Sequence, residues 1–127
     1  MTNLFDELTR LISKQGLSVY AEGEATIIQR AATRAVIPTG STPPDEATPE
    51  QLLVRALIVI TTYEDSEDFL DWCSEFGYSA SDPGHLADFK SIGAGIASLQ
   101  ALIGEARLSE LGMLLRIGQA ISLARPR

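Results

Sequence analysis

The stretch LSVYAEGEATIIQRAATRAVIPTG, residues 17–40, decides whether this chain is all-helical or mixed. Its β-branched and aromatic residues come in short runs, Gly23 sits in a turn-like position, and Pro38 with Gly40 closes the segment. Runs of this kind between turn residues suit a pleated, half-buried surface. The pattern predicts two or three short strands forming a small antiparallel sheet within residues 17–38.

On the N-terminal side, Leu4, Leu8 and Leu11 recur at i, i+4 and i+7, which predicts a helix from Asn3 to about Lys14 with Gln15-Gly16 as its stop. On the C-terminal side, TGSTPPDEATP, residues 39–49, is a linker rich in Pro, Thr and Ser. Thr48, Pro49 and Gln51 then supply an N-cap, a first-turn proline and a capping-box partner. Leu53, Ala56, Leu57 and Ile60 make one face of the helix that follows. The segment LLVRALIVITTY is β-prone enough that a buried strand is the alternative for residues 52–63.

Ser66, Glu67 and Asp68 open the next helix, whose core stripe is Phe69, Trp72, Cys73 and Phe76; Gly77 occupies the left-handed C′ position and Tyr78 packs back on the last turn. Asp82-Pro83 repeats the cap-and-proline device for a helix to about Ile103, with Leu86, Phe89, Ile96, Leu99 and Ile103 inward. Gly93 and Gly95 inside it each cost about 1 kcal/mol relative to Ala, which implies close backbone contact with a neighbouring element. Gly104 ends that helix. Leu108, Leu111 and Leu115, with Leu114, Ile117 and Ile121 on an adjoining strip, form a last helix ending before Pro126. The expected architecture is one α+β domain: an N-terminal helix and short strands over residues 1–38, a linker over 39–49, and four or five helices in all packed against the sheet, the helical part being 50–127.

With 127 residues the chain can bury one core without metals or disulfides, and its single cysteine, Cys73, agrees with a reducing compartment. The opening Met-Thr-Asn-Leu-Phe-Asp-Glu has neither a basic nor a continuous apolar stretch, and the apolar run Ala56–Ile60 is far shorter than a bilayer span. The expectation is a cytosolic protein with no membrane segment. Ten basic residues against seventeen acidic ones give a net charge of −7. This balance disfavours direct nucleic-acid or anionic-membrane binding and points to basic partners.

Chemistry-bearing motifs are scarce. His85, the sole histidine, lies near Asp82 and Asp88 but has no nucleophile in a recognisable setting, and Cys73 belongs to the aromatic stripe. DSEDFLD lacks the central glycine of a calcium loop, a zinc set is missing, and GAG at Gly93–Gly95 falls inside a helix instead of between a strand and a helix. The expectation is a protein without catalytic residues, cofactor or metal.

The concentrated feature is acidic. Residues 64–88 hold eight carboxylates, Glu64, Asp65, Glu67, Asp68, Asp71, Glu75, Asp82 and Asp88, and not one Lys or Arg. On a continuous helical wheel Glu64, Asp68, Asp71 and Glu75 share a face, with a carboxylate about every 5 Å along roughly 16 Å. Such a stripe reads either as a solvated face that keeps the protein soluble or as a partner surface that imitates a nucleic-acid backbone and occupies a basic groove.

The segment DFLDWCSEFGY, Asp68–Tyr78, with a Thr-Gly and Pro-Pro linker and an apolar helix before it and a helix ending in Ile-Gly after it, resembles a widespread group of small bacteriophage proteins of unassigned function. Where that group continues with an acidic Asp-x-Asp-Ser cap, this chain has Ser79-Ala80-Ser81-Asp82-Pro83. The resemblance implies a phage or prophage accessory gene, a class in which small acidic proteins inhibit host defences such as CRISPR complexes, restriction enzymes or nucleases. It brings no catalytic residues. The expected function is therefore a non-enzymatic anti-defence protein, monomer or homodimer, that docks its acidic stripe on a host protein or CRISPR-type complex. The alternative is a phage assembly or replication module that self-associates through Leu114, Ile117 and Ile121.

Overall fold

The computed structural model describes residues 3–124, with the course of the helix alone for residues 119–124. The element order is α1 (Leu4–Gln15), β1 (Ser18–Glu22), β2 (Ala25–Arg30), β3 (Thr33–Pro38), α2 (Pro49–Asp65), α3 (Phe69–Phe76), α4 (Pro83–Ile103) and α5 (Glu105–Ala124). The fold is α+β, a three-stranded antiparallel sheet of order β1-β2-β3 with five helices.

The strands form because two tight turns separate three short apolar runs. Gly23 takes φ 61° between β1 and β2, and Ala31 takes φ 53° between β2 and β3. The register pairs Val19 with Ile28 and Ile28 with Ala35. Since side chains alternate across a pleated sheet, that row faces the helices, and all three residues are buried. The neighbouring row, Tyr20, Ile27 and Val36, lies on the other face, where only Ile27 is fully covered.

Local signals set the helix ends. Asn3 caps α1 by accepting from Asp6 N, and Gly16 ends it in the left-handed region. The reciprocal capping box at Thr48 and Gln51 is present, with Gln51 N donating to Thr48 Oγ1 at 3.2 Å and Thr48 N to Gln51 Oε1 at 2.9 Å. Residues 52–63 are thus helix, and the strand alternative is not realised. Burial explains the choice: Leu52, Leu53, Ala56, Leu57, Val59 and Ile60 recur as one wide helical stripe against the sheet and the other helices. At the end of α3, Tyr78 N donates to Cys73 O at 2.9 Å and Gly77 N to Ser74 O at 3.3 Å, the paired bonds of a Schellman ending.

α2 and α4 lie on the sheet, α4 chiefly on β3; α5 packs on α1, α2 and α4, and α3 closes the gap beside α2 and α4. By length and composition alone α4 is apolar enough to cross a membrane, so the apolar segments are not confined to residues 52–60. Here Ile92, Gly95, Ile96, Leu99, Leu102 and Ile103 of that helix contribute to the core. Leu86, expected inward, is instead exposed in its first turn. On α5, Leu108, Leu111 and Leu115 are buried, Leu114 is half-buried and Ile117 exposed; the side chain of Ile121, and Pro126, lie outside the described residues.

Candidate functional site

Five of the eight acidic residues, Glu64, Asp65, Glu67, Asp68 and Asp71, lie at the corner where α2 gives way to α3, Glu75 lies near the end of α3, and Asp82 and Asp88 lie at the start of α4, so they do not share one helix. α2 stops at Asp65 because Ser66 turns extended, its N–H still reaching Thr62 O at 3.1 Å and its hydroxyl donating to the same carbonyl at 2.7 Å. The expected continuous face through Glu64, Asp68, Asp71 and Glu75 is thereby corrected. Glu64 sits at the C-terminal end of α2, against the helix dipole, whereas Asp68 is the N-cap of α3.

Two of the carboxylates build the corner itself. Asp68 Oδ1 accepts from Asp71 N at 2.9 Å, and Asp71 Oδ2 accepts from Glu67 N at 3.0 Å, so the pair reciprocally satisfies amides left free at the start of α3. A third job falls to Asp82, which caps α4 by accepting from Gly84 N at 2.8 Å. Arg116 of α5 reaches across to Asp65 Oδ1 at 2.9 Å and to Glu64 Oε1 at 4.0 Å. Glu67, Glu75 and Asp88 are exposed and have no ion-pair partner among the described residues.

Beneath the corner lies a ring cluster that holds it rigid. Trp72 is 2% exposed and meets Phe69, Phe76, Tyr78 and Phe89 with centroids 5.3–6.2 Å apart. Its indole N–H has no hydrogen-bond partner among the described residues. Leu70, one position off this stripe, points outward and is 65% exposed, with Glu67 and Asp71 adjacent on the same short stretch. An apolar side chain standing among carboxylates is the feature that attention to charge alone overlooks; its signal was its place between the inward Phe69 and the half-buried Asp71.

The remaining chemistry-bearing side chains have structural surroundings. His85 stacks on Tyr78 at 4.3 Å between ring centroids, and its Nδ1 lies 2.9 Å from Ser79 O, tying the 79–82 turn to the aromatic cluster. Cys73 is buried, and desolvation pushes its thiol pKa above the ordinary value of 9.0, away from thiolate reactivity. Among the described residues, no three or more His, Cys, Asp or Glu side chains converge as a metal-binding group.

Compared with protein-family models, with curated proteins and with solved structures, the chain matches none. The site is therefore interpreted from its own residues.

Proposed function

We propose that this is a non-enzymatic interaction protein that presents the α2–α3 corner to a cationic protein surface, and that in its phage setting it blocks a host defence complex of CRISPR type by occupying the basic groove meant for nucleic acid. The observation that carries the reading is the corner's composition: Glu67, exposed and without an ion-pair partner among the described residues, stands in the same short stretch as the outward Leu70, with Glu75 near the end of α3 and Asp88 on α4 likewise unpaired. A desolvated apolar anchor with a charged rim gives affinity through the anchor and steering through the rim. Five carboxylates within residues 64–71, against Arg116 as the one ion-paired cation there among the described residues, keep the local field negative. Imitation of a phosphate backbone here rests on a bent, two-helix arrangement of charge, not on a straight helical line.

Asp68 and Asp71 are unsuited to a charge-reversal test because they hold the start of α3. The appropriate variant is Glu67→Lys with Glu75→Lys, combined with Leu70→Ser in a second protein. Affinity capture from a bacterial lysate at low and high salt is expected to recover a protein or complex with a basic groove only at low salt, and to lose it with either variant. Equal capture by both variants sinks the reading.

A second reading, self-association through α5, has its own support: Met113 is 59% and Ile117 50% exposed, one turn apart on that helix. Sedimentation at micromolar concentration tests it; a monomer that stays monomeric removes it.

A further inference from the structure

Away from the acidic corner, a cleft of about 180 Å³ opens between α1 and α5, lined by Glu7, Arg10, Leu11, Lys14, Gln15 and Arg107. At roughly 30 Å³ per water, that is room for about six waters, or a tetrahedral oxyanion with part of its hydration shell. Its floor is Glu7, a carboxylate only 8% exposed in a protein whose other acids lie at the surface. Arg10 Nη1 donates to Glu7 Oε1 at 2.7 Å and Arg107 Nη1 lies 3.5 Å from Glu7 Oε2, so one buried carboxylate orients two guanidinium groups from opposite ends of the chain.

Neutralising Glu7 explains Arg10 and Arg107, but not the rest of the rim. Lys14 lies one turn beyond Arg10 on α1 and has no ion-pair partner among the described residues. Arg30, outside the lining, donates to Gln15 Oε1 at 2.6 Å at the edge of the cleft. Glu110, 3.6 Å from Arg107, and Asp6, one turn before Arg10 on α1 and sharing a recess with Arg10 and Lys14, are further carboxylates. Arg10, Lys14 and Arg107 in the lining, with Arg30 at its edge, are four cations against Glu7, Glu110 and Asp6, a net positive recess on a chain of net charge −7. Each guanidinium spends only part of its five N–H donors on Glu7, leaving fixed donors of the kind that bind phosphate.

We propose that the α1–α5 cleft binds a small doubly charged tetrahedral oxyanion, as free phosphate or as the phosphate monoester of a small metabolite. Arg10 and Arg107 supply oriented hydrogen bonds and Lys14 the closing charge. The nine helical steps of α5 from Arg107 to Arg116 place the cleft roughly 14 Å along the helix from the acidic corner, so the two sites stand or fall separately.

The test is titration of the intact protein with inorganic phosphate and, separately, with glycerol phosphate, at ionic strength held constant with chloride and followed by calorimetry. Saturable one-to-one binding is expected, weakened about tenfold in Lys14→Gln, the loss of one charge-assisted contact, and unchanged in Glu75→Gln. Tighter binding of inorganic phosphate identifies the free ion as ligand, and tighter binding of glycerol phosphate identifies a monoester. Lys14 is exposed and bonds nothing that folding needs, so loss of affinity in that variant reports the site. No saturable heat up to about 20 mM of either anion, a range corresponding to under 3 kcal/mol of binding, or affinity unchanged in Lys14→Gln, overturns the proposal.

Discussion

Gly95 on α4 and Val36 on β3 are in backbone contact: a methyl group on Gly95 would overlap the Val36 carbonyl oxygen and stand 2.7 Å from Ile37 Cδ1. That approach is why a glycine at position 95 is tolerated inside a helix, and it sets the distance between the α4 layer and the sheet. At Gly93, by contrast, a methyl would meet only the hydroxyl end of Tyr63, at 2.9 Å. Gly95→Ala is therefore expected to destabilise the protein by about 1–3 kcal/mol, because strand backbone cannot step aside. Gly93→Ala is expected to be within about 0.5 kcal/mol of the parent or better, since the roughly 1 kcal/mol gained in helix propensity offsets a small ring shift. Urea unfolding of the two variants side by side checks the contrast; equal losses would refute it.

Asp68 and Asp71 are the residues whose loss should loosen the corner without touching the core. Asp68→Ala leaves the Asp71 N–H without its acceptor, and Asp71→Ala does the same to Glu67 N. Each is expected to cost about 1 kcal/mol. Because both substitutions release one reciprocal device, the double variant should lose less than the sum of the singles. Hydrogen exchange at Glu67, Asp71 and Trp72 amides should quicken while that of β2 is unchanged.

How far the fold was legible follows from which signals were local. The sheet, the Thr48 capping box, the Gly77 ending and the inward Trp72 were readable because each depends on residues within a few positions of one another. Of the two glycines of α4, Gly95 makes the expected close backbone approach, with β3 as its partner, whereas Gly93 faces only the Tyr63 side chain. The break between Asp65 and Asp68 was missed as a break in the acidic wheel, although Ser66 and Asp68 are both residues that bond their own backbone and so compete with helix continuation. Arg116 beside Glu64 and Asp65, and Arg107 beside Glu7, had no signal at all: those contacts join residues 51 and 100 positions apart. Leu70 was hidden for a different reason, since an apolar residue next to an aromatic stripe reads as core until the helix orientation is known.

Arg116 is the one ion-paired cation at the acidic corner among the described residues, and its contribution should be electrostatic and small. Its side chain is 41% exposed and those of Glu64 and Asp65 more so, which leaves the pair screened by water. Arg116→Gln is expected to lower stability by less than about 1 kcal/mol, an effect that fades by 0.5 M salt. The same variant removes the one ion-paired positive charge at the corner among the described residues, so on the proposed reading it binds a cationic partner more tightly at low salt. A large stability loss that survives high salt would mean that Arg116 acts through packing of its stem on α2.

Cys73 gives a pH signature with a definite sign. Burial raises its folded-state pKa above 9.0, so the folded thiol keeps its proton where the unfolded chain has begun to give it up. Its contribution is fully present below the ordinary thiol pKa and is lost as pH climbs from there toward the folded value. Tyrosines and lysines titrate in the same alkaline range, so the measurement is a difference: urea midpoints of the parent and of Cys73→Ala from pH 7 to pH 10.5, a window bracketing the thiol. The parent should start higher, because Ala leaves a small void beside Trp72, and the gap between the two should narrow as pH rises. Thiol labelling by an aromatic disulfide supplies an independent reading, with native Cys73 expected to react at least ~100-fold more slowly than in the urea-unfolded chain because reaction requires opening of the core. A gap that widens with pH, or a thiol labelled rapidly in the native state, would place Cys73 at the surface of α3 and undo the packing on which the aromatic cluster under the acidic corner depends.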